Sequence, residues 1–334
     1  MSKYSSKRWN EDKKLRSLSH RLPLNTPLVL MVDPTNACNL KCNFCYMSDP
    51  NIKKIKKFNV LKIDEFEKII EDCEEFDEKI KVLRLYKNGD PLLNKNLHYF
   101  IKLAKKSKKI EKVDMTTNGI LFNKNNIDQI IDAGIDKINI SINGLSNNDY
   151  LKNTSTSINY ENFLENIRYL YSIKNNTIIN IKILNILLSD DNKKKFFNDF
   201  MEIADEIFIE NFQDNWPGFK QNNHDTSQIK KTLHNEIINY EKTVCPFPFY
   251  VLVVNSDMTV SLCTQDWKNE KIMGSLKKES LKKIWLGENF NQIRHAHLKK
   301  GHKCIDICNK CSVIFTGTSD NIIPSERLLS SYNK

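Results

Sequence analysis

The sequence predicts an α/β protein followed by a small cysteine-rich α+β segment. Three observations carry that prediction. Short apolar runs of strand composition alternate six times with stretches of helical period. The alternation stops near residue 213, where the chain turns polar and loosely periodic. From Cys245 the text becomes cysteine-bearing and hairpin-like. Six β/α units in regular order argue for a parallel sheet or a partial barrel. In such folds the working residues sit at the C-terminal ends of the strands.

"PLVLMVD" (27–33) is the first strand. "DEFEKIIEDCEEF" (64–76) places Phe66, Ile69, Ile70, Cys73 and Phe76 on one helical face, which makes Cys73 a core cysteine. "KVLRLY" (81–86) is the second strand and "NLHYFIKLAKKS" a helix. "KVDMTT" (112–117) is the third, followed by a helix near 125–133. "DKINISI" (136–142) is the fourth, followed by the helix "NFLENIRYLYSI". "TIINIKILNI" (177–186) is the fifth, with a helix near 191–203, and "EIFIENF" (206–212) the sixth. Residues 213–244 read as a linker. "FYVLVVNSDMTVSLC" is strand, turn, strand, with Asn255 to Thr259 at the turn, and "SLKKIWLGENFNQIRHAH" is helical.

A length of 334 residues suits one large domain and a smaller one, and 40% hydrophobic residues supply a core. The start "MSKYSSKRWNEDKK" is not a secretory signal, and no apolar run reaches membrane-spanning length. A cytoplasmic location without a membrane partner is therefore expected. There, nine cysteines read as metal ligands or core residues rather than disulfides. The net charge of +10 comes mostly from lysine runs such as "IKKIKKF" (52–58). These runs carry no repeated stacking aromatics and no RNA module, so no nucleic-acid partner is expected.

"ACNLKCNFCY" (37–46) holds Cys38, Cys42 and Cys45. The spacing C-x3-C-x2-C wraps one loop around three corners of a cubic iron–sulfur cluster. The fourth iron then has no protein ligand and stays open to a substrate or cofactor. A structural zinc site wants four ligands and a closed shell. The loop also follows the first strand at its C-terminal end.

"DPTNACNLKCNFCY" resembles the radical S-adenosylmethionine superfamily, and by motif order the resemblance runs from residue 28 to about 215. It implies a partial (β/α)6 barrel at 24–220. It implies that Cys38, Cys42 and Cys45 hold a 4Fe–4S cluster whose open iron is chelated by S-adenosylmethionine. One-electron reduction from an external donor of flavodoxin or ferredoxin type would release a 5′-deoxyadenosyl radical, which abstracts hydrogen from substrate. Phe44 matches the aromatic before the last cysteine, and Tyr46 follows it, in a loop whose backbone meets the adenine in the family. "KNGDPLL" (87–93) sits where relatives hold the methionine amino group, with Gly89 and Asp90 as its matching positions. Asn88 replaces a glycine there, and Asp90 is one methylene shorter than the family's glutamate. "TTNG" (116–119) and "SING" (141–144) supply Thr117, Asn118 and Ser141 for the ribose and carboxylate. Lys182 either pairs with the methionine carboxylate or is a solvated lysine on a half-buried strand.

Cys245 and Cys263 flank the hairpin, and Cys308 and Cys311 form a C-x2-C. Together they would close a four-thiolate site for zinc or for iron–sulfur. The segment resembles the SPASM/twitch extensions of the same superfamily, in the shorter, one-cluster form of the butirosin-pathway aminocyclitol dehydrogenase type. The resemblance thus implies two 4Fe–4S clusters. The division is an N-terminal extension at 1–23, the barrel at 24–220, a linker at 221–244 and a SPASM/twitch domain at 245–334. Cys304 is left over, as a substitute ligand, a hydrogen donor or neither.

Two enzyme readings follow. In one, the radical takes hydrogen from a carbinol of a sugar, nucleotide-sugar or aminocyclitol, and the second cluster accepts an electron. A single-cluster twitch favours it, as does the absence of a leader-peptide-binding module before residue 24. In the other, a peptide side chain is cross-linked or oxidised. A radical epimerase, with Cys304 as hydrogen donor, is a further variant. A redox sensor is disfavoured by the ordered cofactor motifs. Glu210, Asp214 and Trp216 follow the sixth strand and are candidates to face substrate, while Trp216 is equally a packing residue.

Overall fold

The computed structural model describes residues 18–219, 230–233, 235–318 and 320–333. Six strands match the expected β/α alternation: β1 (Val29–Val32), β2 (Val82–Leu85), β3 (Val113–Thr117), β4 (Lys137–Ile142), β5 (Ile178–Leu184) and β6 (Glu206–Glu210). They lie side by side in chain order, every pair parallel. Helices cross between them, among them Ile63–Cys73, Leu97–Lys106, Lys124–Asp132, Tyr160–Ile173 and Asp190–Phe200. This is an α/β fold with a parallel core sheet, consistent with a partial barrel.

The alternation of side chains across a strand explains the layering. In β4, Ile138, Ile140 and Ile142 are buried while Lys137, Asn139 and Ser141 are half-buried. In β5, Ile179, Ile181 and Ile183 join the same core. The apolar set packs under the helices, where Phe66 and Phe100 stack at 4.2 Å. Each fully buried aliphatic or aromatic side chain contributes about 1.5–3 kcal/mol, enough to fix which face turns outward. The polar set lines the concave face and bonds to itself. Asn180 donates to Asn139 Oδ1 at 2.9 Å, and Arg84 pairs with Asp114 at 3.5 Å. Cys73 lies wholly inside the core and donates to Ile69 O at 3.2 Å.

The cysteine-bearing segment extends this sheet. β7 (Val251–Val254) pairs in parallel with β1, and β8 (Thr259–Ser261) and β9 (Ile272–Ser275) follow antiparallel. The order is β6-β5-β4-β3-β2-β1-β7-β8-β9. Phe249 and Tyr250, read as the start of a strand, belong instead to a helical turn, Phe247–Tyr250, with Pro246 at its start. The stretch 280–297, read as one helix, is two: Leu281–Leu286 and Glu288–Lys300. Gly287 separates them in extended conformation, where a Cβ would stand 2.7 Å from Lys283 O. The bend lets Arg294 lie over Trp285, 4.0 Å from its ring, and donate to Trp285 O.

The two ends of the described chain meet. Leu18 and Leu22 pack with Leu328 and Tyr332, and Arg327 donates to Leu22 O at 2.8 Å. Most of the N-terminal extension and part of the linker at 221–244 lie outside the described residues. Among the described residues no helix is long and apolar enough to cross a membrane.

Candidate active site

Cys38, Cys42 and Cys45 sit on the loop leaving β1 and line one large cavity of about 520 Å³. Burial pushes all three thiols up, Cys38 to about 12 and Cys45 to about 11. Cys42 is raised well above its ordinary value by burial and by its two neighbours. A buried thiol trio resists ionisation until a cation offsets the charge, which is the chemistry of a metal-cluster ligand set. The Leu40 N–H already points at Cys38 Sγ, 3.5 Å away, as a donor that would stabilise a thiolate.

The loop is braced from two sides. Lys41 N–H and Asn43 N–H donate to the carbonyls of Thr154 and Asn153, at 3.1 and 2.9 Å. Those residues end the helix Asn147–Thr154, which Ser146 caps by accepting from Asp149 N–H. On the other side the turn after β2 presses in. A Cβ on Gly89 would lie 2.1 Å from Ala37 O and 2.3 Å from Thr35 O, so only glycine fits. Asp90 N–H then donates to Ala37 O at 2.9 Å.

Asp90 is buried at 3% exposure, and the protein itself holds its carboxylate. Asn118 N–H donates at 2.7 Å, Leu92 N–H at 3.0 Å, and the Thr117 hydroxyl lies within 3.0 Å of both oxygens. Burial raises its pKa against these donors. Asn118 continues the chain of contacts to Asn39 Oδ1, at 2.8 Å. Thr117 and Asn118 thus meet the cysteine loop through Asp90, although the motifs lie far apart in sequence.

Phe44, Gly89, Asp90, Thr117, Asn118, Ser141 and Lys182 all line the large cavity. Tyr46 does not. It is fully buried, its ring stacked on Trp267 at 4.4 Å and its hydroxyl donated to the Asn88 side chain at 3.0 Å. Trp216 meets the edge of Tyr46 at 4.8 Å and also lines the cavity, so it packs and faces inward at once. Lys182 is not a solvated lysine: its ammonium pairs with Glu210 at 2.6 Å, with both side chains largely buried. That pair spans the ends of β5 and β6, a non-local partnership no local pattern announces.

Cys245, Cys263, Cys308 and Cys311 converge on a second, small cavity beneath the hairpin. Burial raises each thiol, Cys263 to about 11 and Cys311 to about 12, and neighbouring thiols of the set raise Cys245, Cys308 and Cys311 further. Cys304 is exposed and lines neither cavity. Among the described residues no three His, Cys, Asp or Glu side chains form a single-ion site. Four thiolates on one zinc would stand about 3.8 Å apart around 2.3 Å bonds.

Lys87, unassigned in the sequence, joins the two halves. Its ammonium donates to Asn255 Oδ1 (2.6 Å), Asn269 Oδ1 (3.1 Å), Ser261 Oγ (3.2 Å) and Asp266 O (3.2 Å). The turn that carries Asp90 is thereby tied to the loop after Cys263. Beside it Asp33 is raised from 3.8 to about 6, chiefly by burial and against the pull of Lys87. A carboxyl whose folded pKa lies above its unfolded value favours folding below the unfolded pKa. The benefit fades as pH rises through about 6. Between pH 5 and pH 8 the protein should therefore lose stability at this site, on the order of 1 kcal/mol. Asp33→Asn should not, and anaerobic urea unfolding at both pH values checks it. An equal loss in the variant would place the pH dependence elsewhere.

A parallel half-barrel with an open three-thiol loop at its strand ends defines a class: proteins that hold a cluster with an exchangeable ligand position. The chain belongs to the radical SAM superfamily, whose family model matches residues 32–203. A second match, to the SPASM iron-sulfur cluster-binding domain, covers residues 245–312. The family is enzymatic, and the two domains imply S-adenosylmethionine and iron–sulfur clusters. GTP 3′,8-cyclase of Aliarcobacter butzleri (strain RM4018) is 32% identical over 154 residues, 46% of this chain and 44% of that protein. GTP 3′,8-cyclase of Clostridium perfringens (strain 13 / Type A) is 29% identical over 181 residues, 53% of this chain and 51% of that one. The chain spans about half the length of these curated relatives. Among solved structures, BtrN in complex with AdoMet and 2-DOIA shares the fold at TM-score 0.57 and 17% identity, over 88% of this chain and 96% of that one. Streptococcus suis SuiB bound to precursor peptide SuiA does so at TM-score 0.64 and 13% identity, over 92% and 77%.

Proposed function

We propose that this protein is a radical S-adenosylmethionine oxidoreductase that removes hydrogen from a carbinol carbon of a small polar molecule. One observation carries the reading. The large cavity begins at the three-cysteine loop and ends against the four-cysteine site, since Phe247, Gln265 and Val313 line both cavities. A substrate held there would touch the radical source at one end and an electron acceptor at the other. When bound, S-adenosylmethionine on the first cluster supplies the hydrogen-abstracting radical.

The residues divide that work. Cys38, Cys42 and Cys45 would hold three irons and leave the fourth open. Asp90, ordered by Thr117 and Asn118, would hold the amino end of the cofactor, with Ser141 and Phe44 beside it. Glu210, kept in place by Lys182, would accept a hydroxyl proton of the substrate. Cys245, Cys263, Cys308 and Cys311 would hold the second 4Fe–4S cluster, a reading supported by the match of this segment to an iron-sulfur cluster-binding domain.

The test uses substrate deuterated at the reacting carbon. Replacing Cys308 and Cys311 together by alanine should leave deuterium transfer into 5′-deoxyadenosine intact while oxidised product falls at least about tenfold. Cys304→Ala should keep full turnover. Full product formation in the double variant overturns the oxidation reading. Loss of product in Cys304→Ala, with solvent hydrogen at the reacting carbon, would instead mark an epimerase. Deuterium drawn only from a peptide would mark a maturase.

A further inference from the structure

Among the described residues the cations lining the large cavity are Arg84, Lys87 and Lys182. Arg84 pairs with Asp114 and Lys182 with Glu210. Lys87 is held differently. The four oxygens around its ammonium belong to the side chains of Asn255, Ser261 and Asn269 and to the Asp266 backbone, and none is a carboxylate oxygen. The residue itself is half-buried.

Two of those oxygens bracket a cysteine of the second site. Ser261 stands two residues before Cys263 and Asp266 three after it, and Asp266 N–H donates to Cys263 O at 3.4 Å. The ammonium is therefore held at both flanks of Cys263. Burial raises the Cys263 thiol, and the charge of Lys87 pulls against that rise. Burial lowers the pKa of Lys87 in turn, while Asp33 and Asp266 pull it back up. The Asp266 carboxylate is itself occupied, accepting from Glu270 N–H at 2.8 Å and Lys271 N–H at 2.9 Å.

A second cation stands nearby. Lys56 is buried, with its ammonium 5.4 Å from the centre of the Tyr46 ring and donating to Trp267 O. Burial and then the charge of Lys87 lower its pKa to about 8. Two ammoniums that repel one another in a partly desolvated site need anionic company. Asp33 supplies part of it. A cluster bound by four thiolates would supply more, since it is anionic and gains a further negative charge on reduction. A cation fixed beside one of its ligands favours the reduced state, because charge and contacts around the ligands set a cluster's potential.

We infer that Lys87 is a positioning residue for the second cluster: its ammonium, fixed beside Cys263, raises the potential of that cluster and suits it to accept an electron. This rests on the four cysteines holding iron–sulfur. The electron is the one left on the substrate carbon after hydrogen abstraction, and the hydroxyl proton goes to Glu210.

Potentiometric titration of the anaerobically reconstituted full chain, followed by electron paramagnetic resonance, tests it. The titration is run at pH 8, where Asp33 is ionised. Two reduction steps are expected, and the one that survives when Cys38, Cys42 and Cys45 are all alanine belongs to the second cluster. Lys87→Met keeps the length of the side chain and removes its charge. It should make the second cluster about tenfold harder to reduce, a fall of about 59 mV for one electron. Asp33→Asn removes the opposing charge and should shift the same step upward. A purely structural tie would not give shifts of opposite sign. An unmoved second step in Lys87→Met, or shifts of the same sign in both variants, overturns the inference and leaves the oxidoreductase reading standing. Should Lys87→Met fail to take up iron, Asp33→Asn decides alone: an upward shift supports the inference, and an unmoved or lowered step overturns it. A second site with no iron-based reduction step overturns the inference and the reading together.

Discussion

Protein carrying alanine at Cys38, Cys42 and Cys45 together is expected to retain roughly half its iron after anaerobic reconstitution and to form no 5′-deoxyadenosine above background, a loss of about a thousandfold or more. Both readouts matter. The three thiols share one loop and one cavity, while the four thiols of the second site share another. Cys73 lies in the apolar core, so it cannot substitute as a ligand. Losing all iron would mean that the second site depends on the first. Unchanged cofactor cleavage would sink the cluster assignment outright. Cys73→Ala is the companion control: it removes a buried sulfur, costs some stability and should leave iron and cleavage intact.

The six barrel strands were legible because each is an apolar run flanked by helical period, and burial on one face enforces both patterns. The cysteine loop was legible because its three thiols are neighbours in sequence. What escaped the sequence is non-local or short. β9 contains Gly274 and a half-exposed Ile272, so it offers no apolar run. The helix Asn147–Thr154 buries only Tyr150 and Thr154; its Ser146 cap, followed by Asp149, was the signal available. The pairing of β7 with β1 links residues more than two hundred positions apart, and no periodicity encodes it. The same holds for Lys182 with Glu210 and for Lys87 with its four oxygens.

Asp90→Ala should weaken S-adenosylmethionine binding by more than about a hundredfold and also destabilise the fold by about 2–5 kcal/mol. The reasoning is a count of donors. An ionised carboxylate has about four acceptor sites. The Asn118 N–H, the Leu92 N–H and the Thr117 hydroxyl occupy three of them. Asp90 lines the cavity, and the remaining site is the one we propose an ammonium group takes. Alanine removes that ligand and leaves buried donors without an acceptor, which is why stability and binding should fall together. Asp90→Asn separates the two: it keeps the shape but sets an amide N–H₂ against an existing donor, so the fold should loosen less while cofactor binding is still lost. Asp90→Glu, which the family's own glutamate would seem to license, should fail here. The carboxylate is almost fully buried and already satisfied at 2.7–3.0 Å, and an added methylene pushes it past every donor at once. Dialysis with labelled cofactor, iron content and urea unfolding read the three effects. If Asp90→Ala binds the cofactor normally, the assigned role is wrong. If Asp90→Glu binds like the wild type, the turn has room that the close seating of Gly89 against Ala37 O and Thr35 O denies.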